Sequence, residues 1–229
     1  MANVKRKAKQ AGGLLVAFVF MGVSACAGSS GGPSKRELKK IATSAAVQTK
    51  REETERNISD RVRTIEAGVT WLEPLSVVTY DQCMDVRGNA HLFDPNPPKK
   101  TSMICRMSAY IFFSTDRNPK DVVTDIRHSG VTEWTESSVN DVLTYYGEDT
   151  GLQLSEQYVP SLTNLSEGDI HESLRWDTNK GKVSMNFSKD ALWDRLTYRY
   201  SDKPVGQLRR EHGAIYMWSL HTNAYYTVS

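Results

Sequence analysis

The chain has 229 residues, with 29 Lys and Arg set against 27 Asp and Glu. Four of the basic residues and none of the acidic ones fall in residues 1–25, so the remainder carries 25 basic against 27 acidic side chains. That near-balance gives no reason to expect a nucleic-acid partner, and about 200 residues accommodate one sizeable core but not two large domains.

The chain opens on Lys5, Arg6, Lys7 and Lys9 with no acid among them, followed by an almost uninterrupted small or apolar run to Ala25. A positive segment and a short apolar one make the pattern of a secretory signal. The run is short of the roughly 20 residues a helix needs to cross a bilayer, so a permanent membrane span is not expected. Leu14 to Cys26 reads LLVAFVFMGVSAC, and its end, Val23-Ser24-Ala25-Cys26, resembles the lipobox of a bacterial lipoprotein precursor. The resemblance implies a signal peptide over 1–25 and a lipid (palmitate) attachment at Cys26. It also implies a protein anchored on the extracytoplasmic face of the cell membrane. The alternative is an ordinary cleaved signal, with Cys26 incidental. Residues 26–33 are rich in Gly and Ser and read as a flexible tether.

Ser34 followed by Glu37 forms a capping-box pattern and predicts the start of a helix. Leu38, Ile41, Ala42, Ala45 and Ala46 give it an apolar side, and Ile58, Val62 and Ile65 give a second, narrower one, with Gly68 as a stop. Between them lies KREETER, residues 50–56, read either as a solvated helix or as disorder. Residues 34–68 are therefore expected to be a charged helical arm, and 69–229 the globular domain. Lys35, Arg36, Lys39 and Lys40 either solvate a helix face or meet anionic headgroups.

In the domain, Leu75 to Met84 reads as a strand, and the Gly- and Pro-bearing stretch after it as a loop. Met103 to Phe113 alternates apolar and polar residues, the pattern of a strand with one buried face. The two strands are most simply antiparallel neighbours, with Cys83 and Cys105 tied by a disulfide across the connection. Once Cys26 is assigned to lipid these are an even pair in an oxidising compartment; two free thiols are the competing reading. Asn118-Pro119 predicts a helix start and Gly130 its end, and Ser138 to Tyr146 predicts another helix that Gly147 closes. Residues 148–168 read as an irregular surface segment.

The last third has the clearest alternation. Leu174 and Trp176, a TNKG turn at 178–181, and Val183, Met185 and Phe187 suggest a hairpin. Arg195 to Tyr200 suggests a further strand. Ala214 to Leu220 is apolar on both faces, as a central strand would be, and Tyr225 to Val228 can extend it or pair with it. The class expected is α+β, a mostly antiparallel sheet with short helices, preceded by the charged helix and the tether. The plan of helical arm, cystine-linked strand pair and Tyr225-Tyr226 resembles the small uncharacterised lipoproteins of actinobacteria, a likeness that implies no active site.

No catalytic, cofactor or metal motif stands out. His91, His128, His171, His212 and His221 are scattered, with no pair at metal-ligand spacing, so neither a metal nor a cofactor is assigned. Asp169, His171 and Glu172 read as a solvated turn. Aromatic residues crowd the last third, where exposed rings can stack on sugars or grip a peptide, against the simpler reading that they fill the core. Arg195 and Arg199 share one sheet face, either solvated or meeting an acidic ligand. The reading preferred is a lipid-anchored binding or interaction module with an envelope protein or cell-wall ligand as partner. The alternatives are a wall-active hydrolase without a recognisable motif, and a structural or assembly subunit with an apolar patch on the sheet or along Ile58, Val62 and Ile65. An enzyme is the less favoured class.

Overall fold

A computed structural model describes residues 32–87, 101–147, 159–164, 169–185, 187–188 and 191–229. The segment expected to be a signal peptide, Cys26, most of the expected tether, the Pro-rich connection and the greater part of 148–168 lie outside these residues. The elements in chain order are α1 (Lys35–Ala42), α2 (Ala45–Gly68), β1 (Glu73–Asp85), β2 (Met103–Ser114), α3 (Pro119–His128) and α4 (Glu136–Tyr145). After them come β3 (Ser161–Thr163), β4 (Ile170–Trp176), β5 (Ala191–Arg199), α5 (Val205–His212), β6 (Ile215–Thr222) and β7 (Tyr226–Val228).

The strands among the described residues join one antiparallel sheet in the order β3-β4-β6-β2-β1-β5, with β7 paired to the start of β2. The fold is α+β. β6 is buried along Ile215 to Leu220, because it lies between β4 and β2 with packing on both faces. The last strand pairs with β2 and not with β6, since β6 already has neighbours on both edges. Cys83 and Cys105 stand opposite one another in the β1–β2 register, their sulfurs at the disulfide distance of 2.06 Å.

One face of the sheet receives α2, α3 and α4. Ile58, Val62 and Ile65 of α2, Val122, Val123 and Ile126 of α3, and Val139 and Val142 of α4 pack on Ile111, Phe113, Leu174 and Trp218. Over the other face, Leu208 of α5 with Val183, Met185 and Phe187 meets Tyr80, Tyr110 and Phe112. A third cluster surrounds Cys83 and Cys105 and includes Leu38, Ala42 and Val47.

Three expectations are corrected. Residues 34–68 are not an arm outside the domain, because Leu38, Ala42, Val47, Ile58, Val62 and Ile65 are each at most 2% exposed and belong to its core. The helix is also two helices: Ser44 leaves helical geometry (φ −70°, ψ 158°) and caps α2 through Val47 N. The hairpin at 173–188 does not form. The turn is present, Thr178 N donating to Gly181 O, but β4 is paired on both sides by β3 and β6. Val183, Met185 and Phe187 instead pack on the sheet face. Within 148–168, Ser161–Thr163 is a strand whose Leu162 is fully buried.

Candidate binding site

The site grows out of α2, whose middle is too charged to be held by apolar packing alone. KREETER is helical, and its Arg51 is turned inward to 2% exposure. Arg51 Nε donates to Asp81 Oδ2 at 2.7 Å, Nη1 to Gln48 Oε1 at 2.8 Å and Nη2 to Ala42 O at 3.1 Å, while the guanidinium stacks 3.7 Å over Trp193. Asp81 also accepts from the Tyr225 hydroxyl at 2.7 Å. A buried charge needs such partners, since leaving one unpaired costs several kcal/mol. Burial pushes the Asp81 carboxyl up, against the pull of Tyr225 and Arg51, and burial followed by the neighbouring Asp81 pushes the Tyr225 phenol up.

A second clamp lies further along α2. Arg61 donates through Nε and Nη2 to both oxygens of Glu172, at 2.5 and 3.0 Å, and through Nη2 to Val131 O. Trp218 Nε1 donates to Glu172 Oε2 at 3.0 Å, and Glu172 is only 6% exposed. Asn164 is fastened to the same residue, its Oδ1 accepting from Glu172 N at 2.8 Å.

Between helix and sheet, bordered by Glu172 and Tyr225 of the two clamps, runs a groove of about 650 Å³. Its helix wall is Lys50, Glu53, Thr54 and Asn57; its sheet wall is Asn164, Asp169, Ile170, Glu172 and the Thr222 to Tyr225 segment. The volume falls in the range of small-molecule sites. Lys50 is paired with Glu53 at 2.9 Å and Glu172 with Arg61, so charge is largely spent internally. Besides these pairs the groove is faced by the Asp169 carboxylate, a set of amides and hydroxyls, and one tyrosine ring. Such a lining offers hydrogen-bond donors and acceptors suited to hydroxyl groups.

The aromatic residues mostly fill the core: Trp176, Tyr216 and Trp218 are at most 1% exposed, whereas Tyr198 and Tyr200 are exposed on and beside the edge strand β5. Arg195 and Arg199 meet Glu55 and Glu66 of α2, so their face is the helix-covered one. Ile58, Val62 and Ile65 face inward and leave no apolar stripe on α2 for assembly. Of Asp169, His171 and Glu172, Asp169 lies in an exposed bend, but the other two are not part of a solvated turn. His171 and Glu172 lie on β4, where alternation sends Glu172 into the core and His171 to the opposite face. Sequence reasoning missed Arg51, Asp81, Arg61 and Glu172, which carried no motif; the one signal was the presence of acids inside otherwise apolar strands.

Two of the scattered histidines are brought together: His171 is opposite His221 across β4 and β6. Ser108 Oγ and His221 Nδ1 are 2.9 Å apart, a hydroxyl–imidazole pair. A nucleophilic serine also needs donors for the oxyanion. Ser108 lies inside β2 with β1 and β6 paired on its two sides, so its backbone amide is part of the sheet. Among the described residues no group of three His, Cys, Asp or Glu is placed to hold a metal ion, and no helix is long and apolar enough to cross a membrane. Comparison of the chain with protein-family models, curated proteins and solved structures finds no match.

Proposed function

We propose that the protein is a lipid-anchored binding module of the bacterial cell envelope that takes a neutral, hydroxyl-rich ligand, such as a glycan segment of the wall, in the groove between α2 and the sheet. The observation that carries this is the groove itself, bordered by two buried ionic clamps that fix its walls and lined by Asn57, Asn164 and Asn223 beside Tyr225. Preorganised walls lower the ordering cost of binding, and amide side chains offer a donor and an acceptor to each sugar hydroxyl. The anchor at Cys26 supports the location through the lipobox likeness and the Gly/Ser stretch after it.

Calorimetric titration of the full chain with neutral oligosaccharides released from wall glycan tests the binding. Saturable heat that falls about tenfold in affinity for Asn57→Ala or Asn223→Ala, each removing one or two hydrogen bonds, supports the reading. Absence of heat from a folded chain refutes it. Location is tested separately: Cys26→Ser that still fractionates with membranes, and wild type that incorporates no labelled palmitate, would remove the anchor.

The Ser108–His221 pair favours a second reading, a hydrolase acting from the opposite sheet face. Loss of any hydrolysis of wall fragments in Ser108→Ala would support it, and unchanged hydrolysis would dismiss it.

A further inference from the structure

The sheet face turned away from α2 carries a second concavity, lined by basic side chains with no acid among its lining residues. Strand alternation sets His171 of β4, His221 of β6, and Arg106 and Ser108 of β2 on this side, because Glu172, Leu220 and Met107 beside them point into the helix-covered core. His221 has His171 opposite it on one side and Ser108 on the other, and Arg106 lies two residues along β2. Neighbouring strands are about 4.8 Å apart, so side chains from β4, β6 and β2 converge over a width of about 10 Å. With Gln82 and Tyr110 they line a cavity of about 430 Å³, away from the helix-covered groove.

We propose that this cavity is an anion site for a phosphate-ester group, held by the Arg106 guanidinium, the two imidazoles and the Ser108 hydroxyl. A guanidinium fork matches two phosphate oxygens, and a tetrahedral anion has further oxygens for donors on the other strands. The donors are already positioned: His221 Nδ1 is 2.9 Å from Ser108 Oγ, and His171 Nε2 is 3.2 Å from Asn223 Oδ1. The surrounding charge is unbalanced. β4 adds Arg175 on the same face, β1 and β2 add the phenols of Tyr80 and Tyr110, which burial pushes up and keeps neutral, and β5 supplies the acid Asp194, opposite Gln82. Burial, then Arg175 and His171, push the His221 pKa down, so a bound anion would raise it again. Affinity therefore rises in acid.

Such an ester can belong to a lipid headgroup or to a soluble molecule, and glycerophosphoglycerol serves as the probe because its single charge is constant between pH 5 and 8. Histidine ring resonances of the full chain are followed by NMR. The expected result is a saturable shift of both His171 and His221, with affinity on the order of tenfold higher at pH 5.5 than at pH 7.5. Arg106→Gln and, independently, Arg175→Gln should weaken it on the order of tenfold, while the charge-matched Lys39→Gln leaves it unchanged. Arg106-dependent sedimentation with phosphatidylglycerol vesicles would assign the ester to a lipid; soluble binding without sedimentation would assign it to a soluble ester. No saturable shift, or a loss equally produced by Lys39→Gln, overturns the proposal.

Discussion

Arg51 and Asp81 form an ion pair at 2.7 Å whose side chains are only 3% and 1% exposed, and it joins the most charged stretch of α2 to the centre of β1. The pair explains why a helix with so little apolar surface lies where it does. Removing one partner leaves the other buried and uncompensated, so Arg51→Met or Asp81→Leu alone should cost about 3–5 kcal/mol, whereas the double variant should recover most of that loss. Urea unfolding at pH 7 measures all three. An additive double variant would show that the two residues do not act as a pair.

Replacing Cys83 and Cys105 by Ala should destabilise the domain by about 3 kcal/mol, the chain-entropy figure for a loop closed over a separation of 22 residues. Reduction of the wild type should lower its unfolding free energy by the same amount, read as a fall in the urea midpoint. A midpoint insensitive to reduction would contradict the cross-link.

Gly68 ends α2 against Val131, and a Cβ added there would sit 2.7 Å from Val131 Cγ2 and 2.9 Å from Val131 Cβ. A branched side chain attached so closely cannot swing aside. Gly68→Ala should therefore cost about 1–2 kcal/mol despite the better helix propensity of alanine, and Val131→Ala, which removes Cγ2 but keeps the Cβ at 2.9 Å, should recover only part of that loss in the double variant. Thermal unfolding of the two single variants and the double one decides it.

Much of the fold was legible because strands with one buried face announce themselves: Met103 to Phe113 and Leu75 to Met84 emerge as neighbours in the predicted sense. The same rule misled at Val183, Met185 and Phe187, where alternation reflects an extended segment lying on the sheet and not a paired strand. Charge misled differently. A charged residue is rarely buried unless paired, so sequence alone gives no reason to bury Arg51 or Glu172, and their partners lie 30 and 111 positions away in the chain. No local pattern encodes a pairing at that separation.

Asp177 links β4 to α5 by accepting from Arg209 at 2.6 Å and from the amides of Val183 and Ile215. Burial alone would raise its carboxyl, but Arg209 and the two amides outweigh it and hold the pKa below the ordinary range. Its folded pKa is lower than its unfolded value near 3.8, so its contribution is complete above that value and is lost as pH falls through the folded one. Asp81 works in the opposite sense, its raised carboxyl favouring the folded state as acid is added. Asp177→Asn should flatten the fall in stability below about pH 4. Urea midpoints at pH 2.5 to 6 measure the slope, and an unchanged slope would contradict the assignment.

The groove between α2 and the sheet is tested most directly by mapping backbone amide shifts of the full chain during titration with a neutral wall oligosaccharide. A binding module of the kind proposed should show saturable shifts concentrated at Thr54 and Asn57 on the helix and at Thr222, Asn223 and Tyr225 on the sheet. Absence of shifts at saturating sugar, or shifts confined to the opposite face around Ser108 and His221, would contradict it.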